Sequence, residues 1–330
     1  MLSKTISLGF PYRSFPLKVS DDNSFFQSPK MLGSFFLNSF LYSLPKHMYP
    51  CTITIFDDGK PVLVMPAYRN RRKLELAGEA NGMSYLNLIY FQETEENLLD
   101  YFLFLLNEEK RTVRLARIGE KTRLGEILLT GVPKYLTQLE LVDNVTINFG
   151  GGGYSCWHQS LSKSVRQNIR TAYNRLHKDD KTLEFLIIPG KHVHNSLKRE
   201  LLQCYIDRHE SRYGVHTSSL KALYIKYLDF STRELFSNPN SLHAVLKIDG
   251  YVASFFSGYC DNNTIVVPRL SINSKYAKYS PGVLLICEAI KNFSENGLIQ
   301  GIDLSMGIEQ YKLNLGGTVY HTINCQIQSL

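Results

Sequence analysis

Two stretches in the last sixty residues of this 330-residue chain carry groups suited to holding an anion and moving a proton. Tyr279-Ser280-Pro281-Gly282-Val283-Leu284 opens an apolar run with a serine fit to N-cap a helix, a proline fit for its first turn and a glycine that lets a ligand approach the backbone. The N–H groups of Gly282, Val283 and Leu284 would aim at an anion, with the positive end of the helix dipole behind them, and a diphosphate suits such a tip. An ordinary capped helix has the same sequence. The second stretch is Gly307-Ile308-Glu309-Gln310-Tyr311-Lys312, just after an apolar segment that carries Asp303. Moving an acyl group from a thioester to an amine or hydroxyl needs a proton acceptor, a stabiliser for the tetrahedral oxyanion and a proton for the departing thiolate. Glu309 could accept the proton, with Asp303 as a second base. Lys312 could stabilise negative charge or hold a phosphate, and Tyr311 could donate to the thiolate. A solvated loop with a packed tyrosine is the plain alternative.

Further basic and aromatic residues could grip a substrate. Arg208 and Arg212 stand four apart on one helix face and could clamp an anion. His209, beside Glu210, is a reserve base, although a lone helical histidine is more often structural. Arg166 and Arg170, with Lys163, form a basic face that could meet phosphate-bearing substrates or simply be solvated. Trp157, Tyr154 and Tyr173 could stack on a sugar or acyl group, or fill the core. No Ser/His/Asp or Cys/His set stands at a known motif spacing, which favours direct attack over a covalent enzyme intermediate.

These groups need elements to position them. Cys51–Phe56 and Pro61–Met65 flank Asp58-Gly59 and predict a β-hairpin. Residues 242–248, 251–260 and 264–272 predict a meander whose first turn is Asp249-Gly250, with Pro268 marking an edge or a bulge. The two Asp-Gly hairpins suggest an internal repeat, although that turn is common enough to arise twice by chance. Helices are predicted over 29–43, 96–109, 197–213, 220–228 and 281–295, the last stopped by Asn296-Gly297, and a basic helix follows a cap at Ser160 or Ser162. Short strands are predicted at 114–118, 138–141 and 299–304. The glycine run Gly150–Gly153 predicts a junction between domains 1–150 and 151–330.

Composition narrows the classes. A chain that is 44% hydrophobic and 12% aromatic can build real cores. The 37 Lys+Arg against 30 Asp+Glu give +7, which fits an enzyme with anionic ligands and falls short of a dedicated nucleic-acid binder. Six cysteines at 51, 156, 204, 260, 287 and 325 show no CxxC and no paired spacing, which argues against a metal site or disulfide framework and for a cytoplasmic home. The first residues make a poor signal peptide, and segment 31–44 is too short and too polar to span a bilayer. Peripheral membrane association stays open, as does the oligomeric state.

From about Ser24 to Gly317 the order of features resembles the CelD/BcsL-type acetyltransferases of the GNAT superfamily, which are related to the FemX-type transferases. The resemblance is carried by Phe25-Phe26-Gln27-Ser28-Pro29, Asp58-Gly59-Lys60-Pro61-Val62, Leu161 to Arg166 with Arg170 and Leu176, Arg208 to Tyr213, Tyr279 to Gly282, and Asp303 to Lys312. Tyr213 stands where the family has a tryptophan, and Met306, Ile308 and Gln310 replace its usual charged residues. The resemblance implies an α/β (α+β) fold of two tandem GNAT-like domains, each a mixed, mostly antiparallel sheet flanked by helices. It implies acetyl-CoA or another acyl-CoA bound at Ser280, Gly282, Val283 and Leu284 and no metal. The acceptor it implies is a sugar or lipid-linked sugar in bacterial polysaccharide biosynthesis. Two other readings stay open: a FemX-like transferase that uses aminoacyl-tRNA on a peptidoglycan precursor, and a non-catalytic GNAT-like binding module.

Overall fold

A computed structural model describes residues 2–9, 47–78, 86–91, 96–130, 136–213, 236 and 241–328, with the backbone alone at 96–97 and 209–213. The motif at 25–29 and the helices expected over 29–43 and 220–228 lie outside the described residues. The chain forms two compact units, Met1–Asp143 with His321–Leu330, and Asn144–Tyr320. The units part short of the glycine run.

In the first unit β1 (Leu2–Leu8), β2 (Tyr49–Asp57), β3 (Lys60–Arg69) and β4 (Lys73–Leu76) run antiparallel in that order, and β5 (Ile89–Tyr90) pairs with β3. The expected hairpin is present. Asp57 pairs with Lys60, so Asp58 and Gly59 alone make the turn, at φ 46° and 76°. Two positive φ values match the twist of the flanking strands, which is why Asp-Gly sits there. Helix α1 (Glu96–Asn107) crosses over to β6 (Thr112–Gly119), parallel to β4. Helix α2 (Arg123–Thr130) leads to β7 (Leu136–Asn148).

The second unit holds α3 (Gly153–Ser160), α4 (Lys163–Lys178), β8 (Leu183–Pro189), α5 (Asn195–Tyr213), β9 (Ser241–Ile248), β10 (Tyr251–Asp261) and β11 (Thr264–Ile272). It continues with α6 (Pro281–Asn296), β12 (Gly301–Met306), α7 (Gln310–Asn314) and the start of β13 (Thr318–Gln328). Strands β8 to β11 run antiparallel in sequence order, β12 lies parallel to β11 across α6, and β7 closes antiparallel against β12. This repeats the first unit strand for strand. There β1 to β4 run antiparallel, β6 lies parallel to β4 across α1, and β13 closes antiparallel against β6. The repeat hinted at by two hairpins therefore covers six strands. The closing strand of each unit comes from the other half of the chain. The architecture is mixed α/β, mostly antiparallel, with flanking helices.

Both faces of the second sheet are covered, which explains why β10 is apolar on both sides. Phe256 joins the cluster formed with α4 and α6, while its neighbour Phe255 joins the cluster under α5. Each ring is fully buried, a contribution of roughly 2–3 kcal/mol apiece. Ser162 caps α4 by accepting from the Val165 N–H at 3.3 Å, and Gly297 ends α6 in the left-handed conformation at φ 66°. Pro268 falls where the β10–β11 register slips, between the pairs Ser257–Arg269 and Tyr259–Val266, so the residue that cannot donate sits in a bulge. No helix among the described residues is long and apolar enough to cross a membrane.

Candidate active site

Strands β11 and β12 pair at Thr264–Gly301, Ile265–Ile302 and Val266–Asp303, and then separate. β11 runs on to Ile272, while β12 slips register and reaches Asn144 of β7 at Met306. Asp303 is therefore the last paired residue before the strands part. The backbone bends sharply there. Ser305 takes φ 57°, its hydroxyl donates to the Val267 carbonyl at 3.2 Å, and Gly307 takes φ 97°. Positive φ in a serine is uncommon, and such outliers gather at functional sites.

The Asp303 side chain is 3% exposed. One carboxylate oxygen accepts the Ser305 N–H at 2.7 Å, and the other accepts the Tyr320 hydroxyl at 2.5 Å. Burial pushes the Asp303 carboxyl up to about 6, against the opposing pull of these two hydrogen bonds and of Lys312, with Asp261 adding to the rise. A carboxyl balanced near neutrality beside a strand gap is suited to taking up a proton.

Lys312 is turned inward. It is 3% exposed, and its ammonium donates to the carbonyls of Met306 at 2.7 Å, Gly307 at 3.0 Å and Ser305 at 3.4 Å. Glu309 pairs with it at 2.9 Å while staying half exposed. An ammonium has three protons, and these acceptors engage them. Lys312 thus fastens the bend after β12. The fit is close: a Cβ on Gly307 would lie 2.7 Å from a Glu309 carboxylate oxygen. Tyr311, on α7, is 39% exposed. Asp303, Glu309 and Lys312 lie together here.

The tip of α6 differs in detail from expectation. Ser280 sits in the left-handed region at φ 51°, and its side chain makes no cap. Its carbonyl accepts instead from the N–H groups of Val283 at 3.0 Å and Leu284 at 3.2 Å. Two of the three amides expected to face an anion are thereby used. Pro281 has no N–H, which leaves that of Gly282 as the amide of the first turn without an acceptor inside the helix. Gly282 is half-buried and packs on Ile272, while Ser254 ties the Pro281 carbonyl at 2.8 Å. The tip thus meets the far end of β11. From Val266 to Ile272 is about 20 Å at the rise of a strand. The 3₁₀ turn before the tip, Ser274–Tyr279, is anchored to α4. Arg175 donates to the Lys278 carbonyl at 2.8 Å, and Asp179 holds both Lys278 and the Tyr279 hydroxyl. Those two hydrogen bonds keep the Asp179 carboxyl below the usual carboxylate range.

The remaining candidates are scattered. Trp157 is buried in the core and donates its indole N–H to the Leu315 carbonyl at 2.9 Å, which takes its ring out of a ligand's reach. Arg166 spends its guanidinium on the carbonyls of Gln159 and Leu161, closing the end of α3. Arg170 is exposed on α4. Arg208 donates to the Leu270 carbonyl and so pins α5 to β11. His209 and Arg212 lie on α5 with their side chains outside the described residues. Sequence reasoning missed Tyr320, which no local signal marks: it is one aromatic in an ordinary strand, tied to a carboxylate seventeen residues earlier.

Residues 163–313, the stretch that holds Asp303, Glu309, Lys312 and the tip of α6, match the family described as Acetyltransferase (GNAT) domain. Among solved structures, FemX is similar to this chain at 10% identity over 92% of both chains, with a TM-score of 0.58. A conserved protein of unknown function from Bacteroides thetaiotaomicron is similar at 11% identity over 91% of this chain and 93% of its own, with a TM-score of 0.53. L-PGS from Bacillus licheniformis is similar at 12% identity over 84% and 83%, with a TM-score of 0.51. At these identities the likeness is one of fold. No curated protein matches the chain.

Proposed function

We propose that this chain, an acyltransferase of the GNAT type, takes its acyl group from CoA and passes it to an amine or hydroxyl by direct attack on the thioester. One observation carries this reading. A buried carboxyl raised to about 6 lies where β11 and β12 part, and a helix tip with an amide to offer lies at the other end of β11. That separation suits a carrier with its diphosphate at Gly282 and its pantetheine arm extended along β11, so that the thioester lies near Asp303. Asp303 then accepts the proton of the attacking group as its nitrogen or oxygen bonds to the acyl carbon; when the C–S bond breaks the electron pair stays on sulfur, and that proton passes to the thiolate. Lys312 and Glu309 hold the bend that aims Asp303. The resemblance to CelD/BcsL-type acetyltransferases supports an acceptor that is a sugar or a precursor of surface polysaccharide, which a peripheral enzyme could meet at a membrane. The fold shared with FemX keeps aminoacyl-tRNA as the second donor to test.

Thermal melting with acetyl-CoA, CoA and tRNA added singly separates these readings, since a ligand that binds only the native state raises the midpoint. Acetyl-CoA and CoA are expected to raise it and tRNA to leave it unchanged. A rise with tRNA alone moves the donor to the second reading, and no rise with any of them sinks both.

A further inference from the structure

The Asp303 carboxylate is almost closed to solvent, so a proton arriving from an acceptor needs a carrier. One oxygen is committed to a backbone N–H, that of Ser305, which cannot relay. The other accepts from Tyr320, which is half-buried and so stands between the carboxylate and the outside. The charged groups that bear on Asp303 are Lys312 from α7 and Asp261 from the end of β10. Lys312 is held by three carbonyls and Glu309. Tyr320 is thus the titratable group that bonds Asp303 directly.

We propose that Tyr320 is the proton relay of this site, passing the acceptor's proton inward to Asp303 and returning one to the leaving thiolate. As the acceptor's nitrogen or oxygen bonds to the acyl carbon, its proton moves to Tyr320 Oη, and the phenolic proton moves to Asp303 Oδ2. When the C–S bond breaks, the electron pair stays on sulfur. The carboxyl proton then returns through Tyr320 to the thiolate, giving free CoA thiol and leaving the enzyme as it began. A phenol can do this without becoming a stable phenolate, because it gives one proton as it takes another. The proposal rests on Asp303 as the proton acceptor, and the experiment separates the two.

The test follows thiol release from acetyl-CoA, with glucosamine as acceptor and with water in its absence. It is joined by ¹³C NMR titration of the Asp303 carboxyl, CoA affinity and melting midpoint. Tyr320→Phe is expected to cut thiol release on the order of a hundredfold. It is also expected to raise the Asp303 titration midpoint, since a hydrogen bond that favours the carboxylate is lost, with CoA affinity unchanged. A purely structural tyrosine would leave thiol release near wild type once folding is matched. If Asp303→Asn retains full activity, Asp303 is not the base and the relay falls with it. If Asp303→Asn is inactive while Tyr320→Phe keeps its rate within about twofold across pH, the relay alone is overturned. Should Tyr320→Phe fold poorly, 3,5-difluorotyrosine at position 320 keeps the ring and hydroxyl while making the phenol more acidic. A shifted pH–rate profile supports the relay, and an unshifted one overturns it.

Discussion

Asp303 makes the candidate site a burden on the fold. Its ordinary value is 3.8 and its folded value about 6. Between these the folded chain keeps a proton that the unfolded chain has released, so stability falls as pH rises through this window. Asp303→Asn, which keeps one oxygen to accept the Ser305 N–H and gains an amide N–H to donate to the Tyr320 oxygen, is therefore expected to raise the melting midpoint more at pH 7.5 than at pH 4.5 while abolishing turnover. The same carboxyl sets an acid limb: wild-type kcat/KM should rise with pH and reach half its plateau near 6, as a pH–rate profile would show. Lys312 calls for the opposite test. Lys312→Met leaves the carbonyls of Met306 and Gly307 without their donor and is expected to cost about 2–4 kcal/mol in denaturant titration. It should also abolish turnover, by loosening the bend that carries Asp303. The residue types of this cluster were legible from sequence. The direction of Lys312 was not, because it depends on carbonyls that only the bend after β12 presents.

At the scale of elements, the α6 tip and the β11 bulge are the parts that can be separated by mutation. Gly282→Asp puts a negative charge at a helix start, which the dipole favours by roughly 0.3–1 kcal/mol, while opposing a bound diphosphate. Its Cβ would stand 3.1 Å from an Ile272 methyl, a contact a small shift relieves. The expected result is an unchanged or slightly raised melting midpoint with at least tenfold weaker CoA binding by calorimetry. Equal CoA affinity would remove the diphosphate from this tip. Gly258 lies at the register slip, where a Cβ would sit 2.4 Å from the Val266 carbonyl oxygen. Backbone cannot yield there as a side chain can, and Gly258→Ala is expected to lose about 2–4 kcal/mol. Elements with local punctuation read well from sequence. Asp58-Gly59, Asp249-Gly250, Ser162 and Gly297 each stand where the chain turns, caps or stops. β1 and β13 went unread because long-range partners define them: residues 323–328 do alternate apolar and polar, but β13 gets its register from β6, some two hundred residues earlier, with no turn signal to mark the pairing.

At the scale of the molecule, two buried groups among the described residues, Asp303 and His243, act on stability at acid pH in opposite senses. His243 lies fully buried between the Ser241 hydroxyl at 3.2 Å and the Ser257 hydroxyl at 2.7 Å, with the Phe236 ring edge-on. Burial lowers its value from 6.5 to about 3. Below 6.5 the unfolded chain takes a proton that the folded one refuses, so stability drops as pH falls toward 3. This gap is wider than that of Asp303 and prevails, so the melting midpoint should decline from pH 6 to pH 4. His243→Gln, which keeps a donor and an acceptor for the two serines, should flatten that decline. The architecture was legible only in outline. Two matching Asp-Gly turns suggested a repeat, but the closing strands could not be assigned, since each comes from a distant part of the chain.

That exchange of closing strands bears on how the protein is born. β6 pairs with a strand whose contact residues lie some two hundred positions further on, as in the Arg117 N–H to Asn324 bond that spans 207 residues. On the ribosome β6 therefore emerges as a raw sheet edge and waits, through the synthesis of some two hundred further residues, for β13. Nascent chains stalled before residue 321 should bind chaperones and resist refolding in the first unit.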